Sequence, residues 1–281
     1  MNNLDALNYA NKVLKLNNIE SYKIDSELLL SKVLNSSREK ILINLDYKIE
    51  KENFIKFREL VSRRTKNEPI AYILNEKEFW RSKYMVNKEV LIPRPETEII
   101  VNEVLKLTNF NTAKRILDIG TGSGCIILSI VKERPNFYGS AIDISKKAIN
   151  VAKYNAKMHH LENKIKFVNI DIDKLNHNKY DLIVSNPPYI KKFDLKKLNS
   201  DVRLYEPFLA LDAGINGLSA IEKIIIKSKL LLKRNGKLIF EIGENQLTPV
   251  TVLLKANKFY INEVCKDFQS HPRVIISTRI F

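Results

Sequence analysis

The sequence predicts an α/β protein with a mostly parallel sheet, preceded by a small helical domain. From residue 99 onward, short apolar β-prone runs alternate with amphipathic helical segments. This alternation is typical of a doubly wound parallel sheet. Residues 1–68 instead show apolar residues at helical spacing and no predicted strand. We therefore expect a helical bundle at 1–68, a β-hairpin with a proline-rich linker at 69–98, and the α/β domain at 99–281.

The first 68 residues carry three amphipathic stripes. No catalytic constellation is visible among them, so we expect this bundle to serve packing or docking. The apolar members of the stripes are Leu4, Leu7, Val13 and Leu14, then Ile24 and Leu28 to Leu30, then Phe54, Ile55, Phe57, Leu60 and Val61.

The next segment changes to β-prone residues. Ile70–Ile73 and Glu78–Val86 are predicted to be the strands of a hairpin. Asn75 lies between them, and asparagine tolerates the left-handed dihedrals that a turn needs. Trp80 is predicted to be a core residue rather than a contact residue.

The elements of the α/β domain follow from local patterns. Short apolar runs bounded by turn residues predict strands, and apolar residues three and four positions apart predict helices. The last two strands have no helix between them, so we expect an antiparallel hairpin. The predicted strands are 115–119, 137–142, 165–169, 180–185, 236–242, 260–266 and 273–280, and the predicted helices are 124–133, 145–158, 217–232 and 246–256.

A glycine-rich turn follows the first of these strands. Gly120, Gly122 and Gly124 have the spacing G-x-G-x-G, not the dinucleotide-type G-x-G-x-x-G. Glycines let the backbone approach a ligand closely. The next strand ends at Asp143, about 20 residues further on, where a carboxylate is placed to accept hydrogen bonds from ribose hydroxyls. Its alternative role is to cap the following helix, for which Ser145 competes.

A second turn, Asn186–Pro187–Pro188–Tyr189, follows the strand at 180–185. Prolines have no N–H to donate, so the strand must end there, at the sheet edge where α/β proteins bind ligands. The Asn186 side-chain oxygen and the Pro187 carbonyl can accept both hydrogens of a planar NH2 group, and Tyr189 offers a flat face. Such a grip would orient and activate an amide nitrogen. Alone, the turn could be a simple tight loop, but the upstream glycine turn favours a site.

These motifs resemble known families at two levels. One set of residues is similar to Rossmann-like class I S-adenosylmethionine-dependent methyltransferases. This set consists of Asp118–Gly124, Asp143 and Asn186–Tyr189. A second set of residues resembles the peptide chain release factor glutamine methyltransferase (HemK/PrmC-like) family. This set consists of Ala71–Ile73, Glu78–Trp80, Val90–Glu98 and Glu241–Gly243. The likeness runs over nearly the whole chain.

The resemblance implies S-adenosylmethionine as cofactor and class 1 release factors as protein substrates, held partly by the helical domain. It also implies methylation of the glutamine amide nitrogen in their Gly-Gly-Gln motif. The implied cofactor-binding residues are Gly120, Thr121, Gly122, Ser123, Gly124, Asp143, Asp171, Ile172 and Asn186. The implied catalytic residues are Asn186, Pro187 and Tyr189, and the substrate-binding residues are Asn186, Pro187, Pro188 and Tyr189.

Three further positions have both a functional and a structural interpretation. Asp171 matches the family's position for reading the adenine amino group, although a cap or turn explains it nearly as well. The segment with Arg94, Glu96, Thr97 and Glu98 lies at a corner that the resemblance places near the cofactor and the target glutamine, but these residues could simply cap the helix that follows. Glu241, at a strand end, is placed to touch substrate, but we interpret it as a packed sheet terminus.

Composition restricts the class of protein. The net charge is +15, but the lysines are scattered, which is compatible with visits to a ribosome or RNA and predicts no stable nucleic-acid partner. The apolar stretches are far shorter than a membrane span, and the first residues lack a secretory pattern. Cys125 and Cys265 favour a reducing cytosol, and neither has partners at metal spacing. We therefore expect a cytoplasmic monomer without a metal or a membrane partner.

Two rival functions remain open. A DNA or RNA amino-group methyltransferase would use the same turn to grip a flipped base, but the chain has no additional module long enough for DNA target recognition. A non-catalytic, cofactor-sensing RNA-binding protein would have no use for the grip at Asn186–Tyr189.

Overall fold

The computed structural model describes residues 1–176 and 179–280 and divides into two compact units. The first unit comprises Met1–Asn75 together with Asn199–Tyr205, and the second comprises the remaining described residues. The segment at 199–205 thus belongs to the helical unit although it follows the Asn-Pro-Pro-Tyr turn in sequence.

The first unit is a bundle of helices around one apolar core. Buried leucines and aromatic residues fill this core, among them Leu14, Leu29 and Phe57. Asp25 is buried too, and its carboxylate pairs with Arg64 Nε at 2.7 Å. The helices are α1 (Asn3–Leu16), α2 (Tyr22–Leu34), α3 (Arg38–Ile43), α4 (Lys51–Thr65), α5 (Ile70–Leu74) and, from the later segment, α9 (Ser200–Tyr205).

The predicted strand at Ile70–Ile73 is wrong, because these residues form helix α5. Pro69 precedes the helix, and its carbonyl accepts the first helical hydrogen bonds. Short apolar runs fit a buried strand and a buried helix turn equally well, so tertiary packing decides between them. Asn75 does adopt the left-handed conformation, at φ 58°, but as the residue that ends this helix.

The predicted pairing of Ile70–Ile73 with Glu78–Val86 is also wrong, because the hairpin pairs β1 (Glu76–Phe79) with β2 (Ser82–Met85) and turns within the segment predicted as one strand. Trp80 lies in its turn at φ 50° and packs, partly buried, against the core of the second unit. Its backbone N–H donates to Glu98 and its indole N–H donates to Glu133.

The second unit is built on a seven-stranded sheet of order β5-β4-β3-β6-β7-β9-β8. β3 to β7 are parallel, and β9 runs antiparallel to both β7 and β8, which confirms the predicted fold class. The strands are β3 (Arg115–Ile119), β4 (Tyr138–Asp143), β5 (Ile165–Asn169), β6 (Tyr180–Ser185), β7 (Leu232–Glu241), β8 (Phe259–Lys266) and β9 (Pro272–Arg279).

Helices cover both faces of this sheet. On one face the apolar core includes side chains of α6 (Glu98–Lys106) and α7 (Cys125–Glu133). On the other face it includes side chains of α10 (Ser219–Leu231) and α11 (Leu247–Ala256). α8 (Lys146–Met158) links β4 to β5. Within residues 1–176 and 179–280, no helix has the length and apolar character needed to cross a membrane.

The sheet register places the predicted site motifs side by side. Ile119 pairs with Ile142 on β4 and with Ser185 on β6. Each of these paired residues is followed directly by a part of the predicted site. The glycine turn follows Ile119, Asp143 follows Ile142 and Asn186 follows Ser185. They therefore share the carboxyl edge of the sheet, at the point where the strand order reverses.

Candidate active site

A cavity of about 590 Å³ opens at this carboxyl edge. Most of the residues that we assigned to the site line it: Gly120, Thr121, Gly122, Ser123, Asp143, Asp171, Ile172, Asn186, Pro187 and Pro188. Gly124 and Tyr189 are absent from the cavity wall. The size suits a nucleoside-sized ligand.

The glycine turn presents bare backbone to the cavity. Gly120 and Gly122 have φ of 69° and 54°, and a Cβ placed on either would meet nothing within 4 Å. Both glycines therefore leave space that a ligand can enter. The turn is held by two backbone N–H groups, of Gly120 and Thr121, which both donate to the Ile142 carbonyl.

Gly124 serves packing rather than ligand approach. It precedes α7 at φ 82°, and a Cβ there would lie 3.0 Å from Leu128 and 3.2 Å from Ala152. Only glycine lets the start of α7 pack this closely against α8.

Asp118 supports the turn from below. It is completely buried, and its Oδ2 accepts a 2.7 Å hydrogen bond from the Thr121 hydroxyl. Its Oδ1 has no hydrogen-bond partner among the described residues. Burial raises the pKa of Asp118 to about 7, against the effect of the Thr121 hydrogen bond. Asp118 therefore orients the turn and does not line the cavity.

Asp143 is free of the helix-capping role. The Ser145 hydroxyl caps α8 by accepting from the Ala148 N–H, while Asp143 accepts from the backbone N–H groups of Gly122 (3.0 Å) and Ser145 (2.8 Å). Burial raises the pKa of Asp143. Each carboxylate oxygen can accept a second hydrogen bond, so Asp143 retains acceptors for a diol.

Asp171 and Ile172 lie on the neighbouring wall. Asp171 caps a short 3-10 turn by accepting from the Asp173 N–H at 2.9 Å, so its structural role is realised while its carboxylate still lines the cavity. Sequence analysis missed Ile144, an apolar cavity-lining side chain that is 56% exposed. The sequence feature that could have revealed Ile144 is an apolar residue directly after Asp143, outside the predicted strand and helix.

Asn186 is fixed by a chain of hydrogen bonds. Its Nδ2 donates to Thr97 Oγ1 at 2.9 Å, and the Thr97 hydroxyl donates to Glu241 Oε2 at 2.7 Å. Thr97 and Glu241 are 2% and 1% exposed. Thr97 thus lies beside the Asn-Pro-Pro-Tyr turn. Glu241 is a buried strand terminus, but it is also hydrogen-bonded into this chain.

Tyr189, the last residue of the Asn-Pro-Pro-Tyr turn, lies outside the cavity lining. Its ring packs next to Gly243, where an added Cβ would lie 2.9 Å from Tyr189 Cδ2. Burial is the main cause that raises the pKa of Tyr189. Tyr189 packs beside Gly243 and is not among the residues that line the cavity.

A glycine turn, an acidic residue after the next strand and an Asn-Pro-Pro-Tyr turn on this sheet together define a class I S-adenosylmethionine-dependent methyltransferase. Comparisons with known proteins narrow this class. Residues 5–74 match the PrmC N-terminal domain and residues 96–202 match the Methyltransferase small domain. The release factor glutamine methyltransferase of Clostridium acetobutylicum is 39% identical over 278 residues, covering 98% of each chain. The chain belongs to the release factor glutamine methyltransferase family.

Other relatives differ in length or show the fold alone. The bifunctional methyltransferase of Rickettsia felis is 37% identical over 95% of this chain, which spans only 56% of that protein. The crystal structure of a ribosomal protein L11 methylase from Lactobacillus delbrueckii subsp. bulgaricus superposes with a TM-score of 0.53 at 17% identity, covering 73% of this chain and 90% of that one.

The cavity fits S-adenosylmethionine, the cofactor of this class. Gly120 and Gly122 leave open space where the methionyl part would approach backbone. Asp143 and Asp171 add carboxylate acceptors to the cavity wall, a suitable chemistry for a ligand that carries hydroxyl and amino donors. Ile144 and Ile172 add apolar surface to the cavity wall.

Proposed function

We propose that this chain methylates the side-chain amide nitrogen of the glutamine in the Gly-Gly-Gln motif of class 1 peptide chain release factors. The observation that carries the proposal is the fixed orientation of Asn186. Because its Nδ2 is engaged by Thr97, its Oδ1 remains to accept a hydrogen bond from a ligand NH2 in the cavity. The names of the relatives support glutamine as the target.

The reaction requires activation of a weak nucleophile. The lone pair of a primary amide nitrogen is delocalised into its carbonyl group. Acceptance of both N–H hydrogens, by Asn186 Oδ1 and the Pro187 carbonyl, raises electron density at the nitrogen and fixes its direction. When bound, S-adenosylmethionine supplies an electrophilic methyl group on a sulfonium sulfur.

Methyl transfer to the amide nitrogen needs no general base. An amide that has gained a methyl group on nitrogen and still carries both hydrogens is a strong acid, so it loses a proton to water without assistance. Asn186 and Pro187 can hold the departing hydrogen until then. The partly buried ring of Tyr189 packs against the apolar core of the second unit and stiffens the turn that carries both acceptors.

We propose a class 1 release factor as the protein partner, with the helical unit contributing to substrate docking. We further propose that the chain acts as a monomer in the cytoplasm, without a stable nucleic-acid partner. The two free cysteines, Cys125 and Cys265, agree with a reducing compartment.

The test is transfer of labelled methyl groups from S-adenosylmethionine to four acceptors in parallel. These are a purified class 1 release factor, its variant with alanine at the Gly-Gly-Gln glutamine, bulk tRNA and rRNA, and DNA. The proposal predicts label in the unmodified release factor only. Label in nucleic acid alone would show that the turn grips a base, and label in the alanine variant would place the methyl group elsewhere.

A further inference from the structure

The amide of Asn186 can be held in either of two orientations that differ by exchange of its oxygen and nitrogen. The two orientations have nearly the same shape, so packing alone does not choose between them. Only one of them presents Oδ1 to the substrate. The grip proposed above, on which this inference rests, therefore needs a device that selects the orientation.

We propose that Glu241 and Thr97 are positioning residues that select the acceptor orientation of Asn186 through the direction of their hydrogen bonds. An ionised Glu241 carboxylate can only accept, so the single hydroxyl hydrogen of Thr97 is committed to it at 2.7 Å. Thr97 Oγ1 can then only accept from Asn186, at 2.9 Å. Asn186 must offer Nδ2 to Thr97, and Oδ1 faces away from it.

The location of the chain supports this role. Thr97 and Glu241 are both nearly inaccessible to solvent, so water does not compete for their hydrogen bonds. Thr97 precedes α6, Glu241 ends β7 and Asn186 follows β6, so three separate elements fix the three groups. A buried polar chain of this kind is rigid when every member has its partner.

The charge state of Glu241 controls the direction of the chain. If Glu241 is protonated it can donate to Thr97, which can then turn its own hydrogen toward Asn186 and favour the opposite amide orientation. Burial raises the pKa of Glu241 to about 7. The groups that face it are Thr97, Arg273 and Tyr189, which lower this pKa, and Glu96, which raises it.

Three variants separate this role from simple packing. Glu241→Gln keeps the shape of the side chain, but its amide can donate a hydrogen bond to Thr97. The hydrogen bonds from Asn186 through Thr97 to residue 241 then no longer have one fixed direction. Thr97→Val keeps the shape and removes the hydroxyl, while Thr97→Ser keeps the hydroxyl and is the matched control. We expect kcat on the release factor to fall about ten- to a hundredfold in the first two variants and to remain within about threefold in Thr97→Ser. The KM for S-adenosylmethionine should change little.

The pH dependence gives a second measurement. In the unmodified enzyme kcat should fall as the pH drops through about 7, where Glu241 gains its proton. In Glu241→Gln this decrease should be absent, with kcat low at every pH. A third readout, independent of turnover, is the side-chain NH2 resonance pair of Asn186, assigned by its loss in Asn186→Ala. It should shift with pH around 7 in the unmodified protein and not in Glu241→Gln.

The outcomes are distinct. If the unmodified enzyme leaves the release factor unlabelled, the proposed function and this inference both fail. If the enzyme is active while Thr97→Val and Glu241→Gln keep its kcat and its pH profile, only this inference is overturned. Should either variant unfold, which a thermal melt would reveal, an Asn186 resonance pair that ignores pH in the unmodified protein overturns it equally.

Discussion

Replacement of Asn186 by alanine tests the amide grip most directly. The change removes one of two acceptors that act on the substrate nitrogen. Loss of one preorganised hydrogen-bonding group at a reacting centre typically costs about 3–4 kcal/mol of transition-state stabilisation, or roughly a hundred- to a thousandfold in kcat. We therefore expect Asn186→Ala to retain less than about 1% of turnover on a release factor.

The expected cost in stability is much smaller. Asn186 donates one hydrogen bond, to Thr97, and Thr97 keeps its own bond to Glu241 when this donor is lost. A lost hydrogen bond of this kind costs about 1 kcal/mol, which corresponds to a decrease in Tm of roughly 2–4 °C. The fold should therefore remain intact while turnover disappears.

The assay combines single-turnover methyl transfer, a thermal melt and calorimetric binding of S-adenosylhomocysteine. Asn111→Ala is the matched control, because Asn111 is exposed and lies outside the cavity lining. Cofactor-product affinity should stay within a few-fold in both variants. Turnover of Asn186→Ala within about threefold of the unmodified enzyme would refute the grip, because so small a loss is below what one reacting-centre hydrogen bond contributes.

Three further predictions concern the loop, its support and the helical unit. Gly122→Ala should weaken S-adenosylhomocysteine binding measured by calorimetry, since its Cβ enters the open space beside the turn at φ 54°. Burial raises the pKa of Asp118 from 3.8 to about 7, so the folded state binds its proton more tightly than the unfolded chain. The contribution of the Asp118 carboxyl group to the free energy of unfolding is therefore fully present below pH about 4, and it is lost as the pH rises to about 7. Asp118→Asn should flatten the pH dependence of Tm between pH about 4 and about 7. Asp25→Ala leaves the Arg64 guanidinium buried without its carboxylate and should lower the free energy of urea unfolding by about 3–5 kcal/mol.

Each of these has a result that contradicts it. Unchanged product affinity in Gly122→Ala would mean that the ligand does not approach the turn. An equally steep Tm profile in Asp118→Asn would assign the titration to another group, such as Glu241, whose pKa is also raised to about 7. For Asp25, the control is Glu76→Ala, which breaks the exposed pair with Lys83 and should cost at most about 1 kcal/mol. An equal loss in both variants would contradict the importance of burial.

Much of the fold could be predicted because local patterns and tertiary packing agree. The alternation of strands and helices, the hairpin at β8 and β9, and the positions of both turns are properties of short segments. Two segments were exceptions: the strand predicted at Glu78–Val86 contains the hairpin turn, and Ile70–Ile73 is helical. The four apolar residues of the second segment fit either conformation, and Pro69 and Asn75 at its ends selected a helix turn that buries them in the first unit.

The chemistry-bearing residues could also be found in part. Glycine spacing, an acidic residue after the next strand and two prolines after a strand are each visible in sequence, because each depends on backbone geometry near one strand end. The positions of Gly124 and Tyr189 depend instead on neighbours. Leu128 and Ala152 surround Gly124, and Gly243 lies against the ring of Tyr189, so neither residue lines the cavity.

The sequence by itself determined the class of protein, since the glycine turn and the Asn-Pro-Pro-Tyr turn carry their own chemical meaning. The tertiary structure decided which residues hold that chemistry in place. Thr97 lies 89 positions from Asn186 and 144 positions from Glu241, and no local pattern connects them. They meet because parallel strands bring their carboxyl ends to one edge, where burial makes the direction of each hydrogen bond matter.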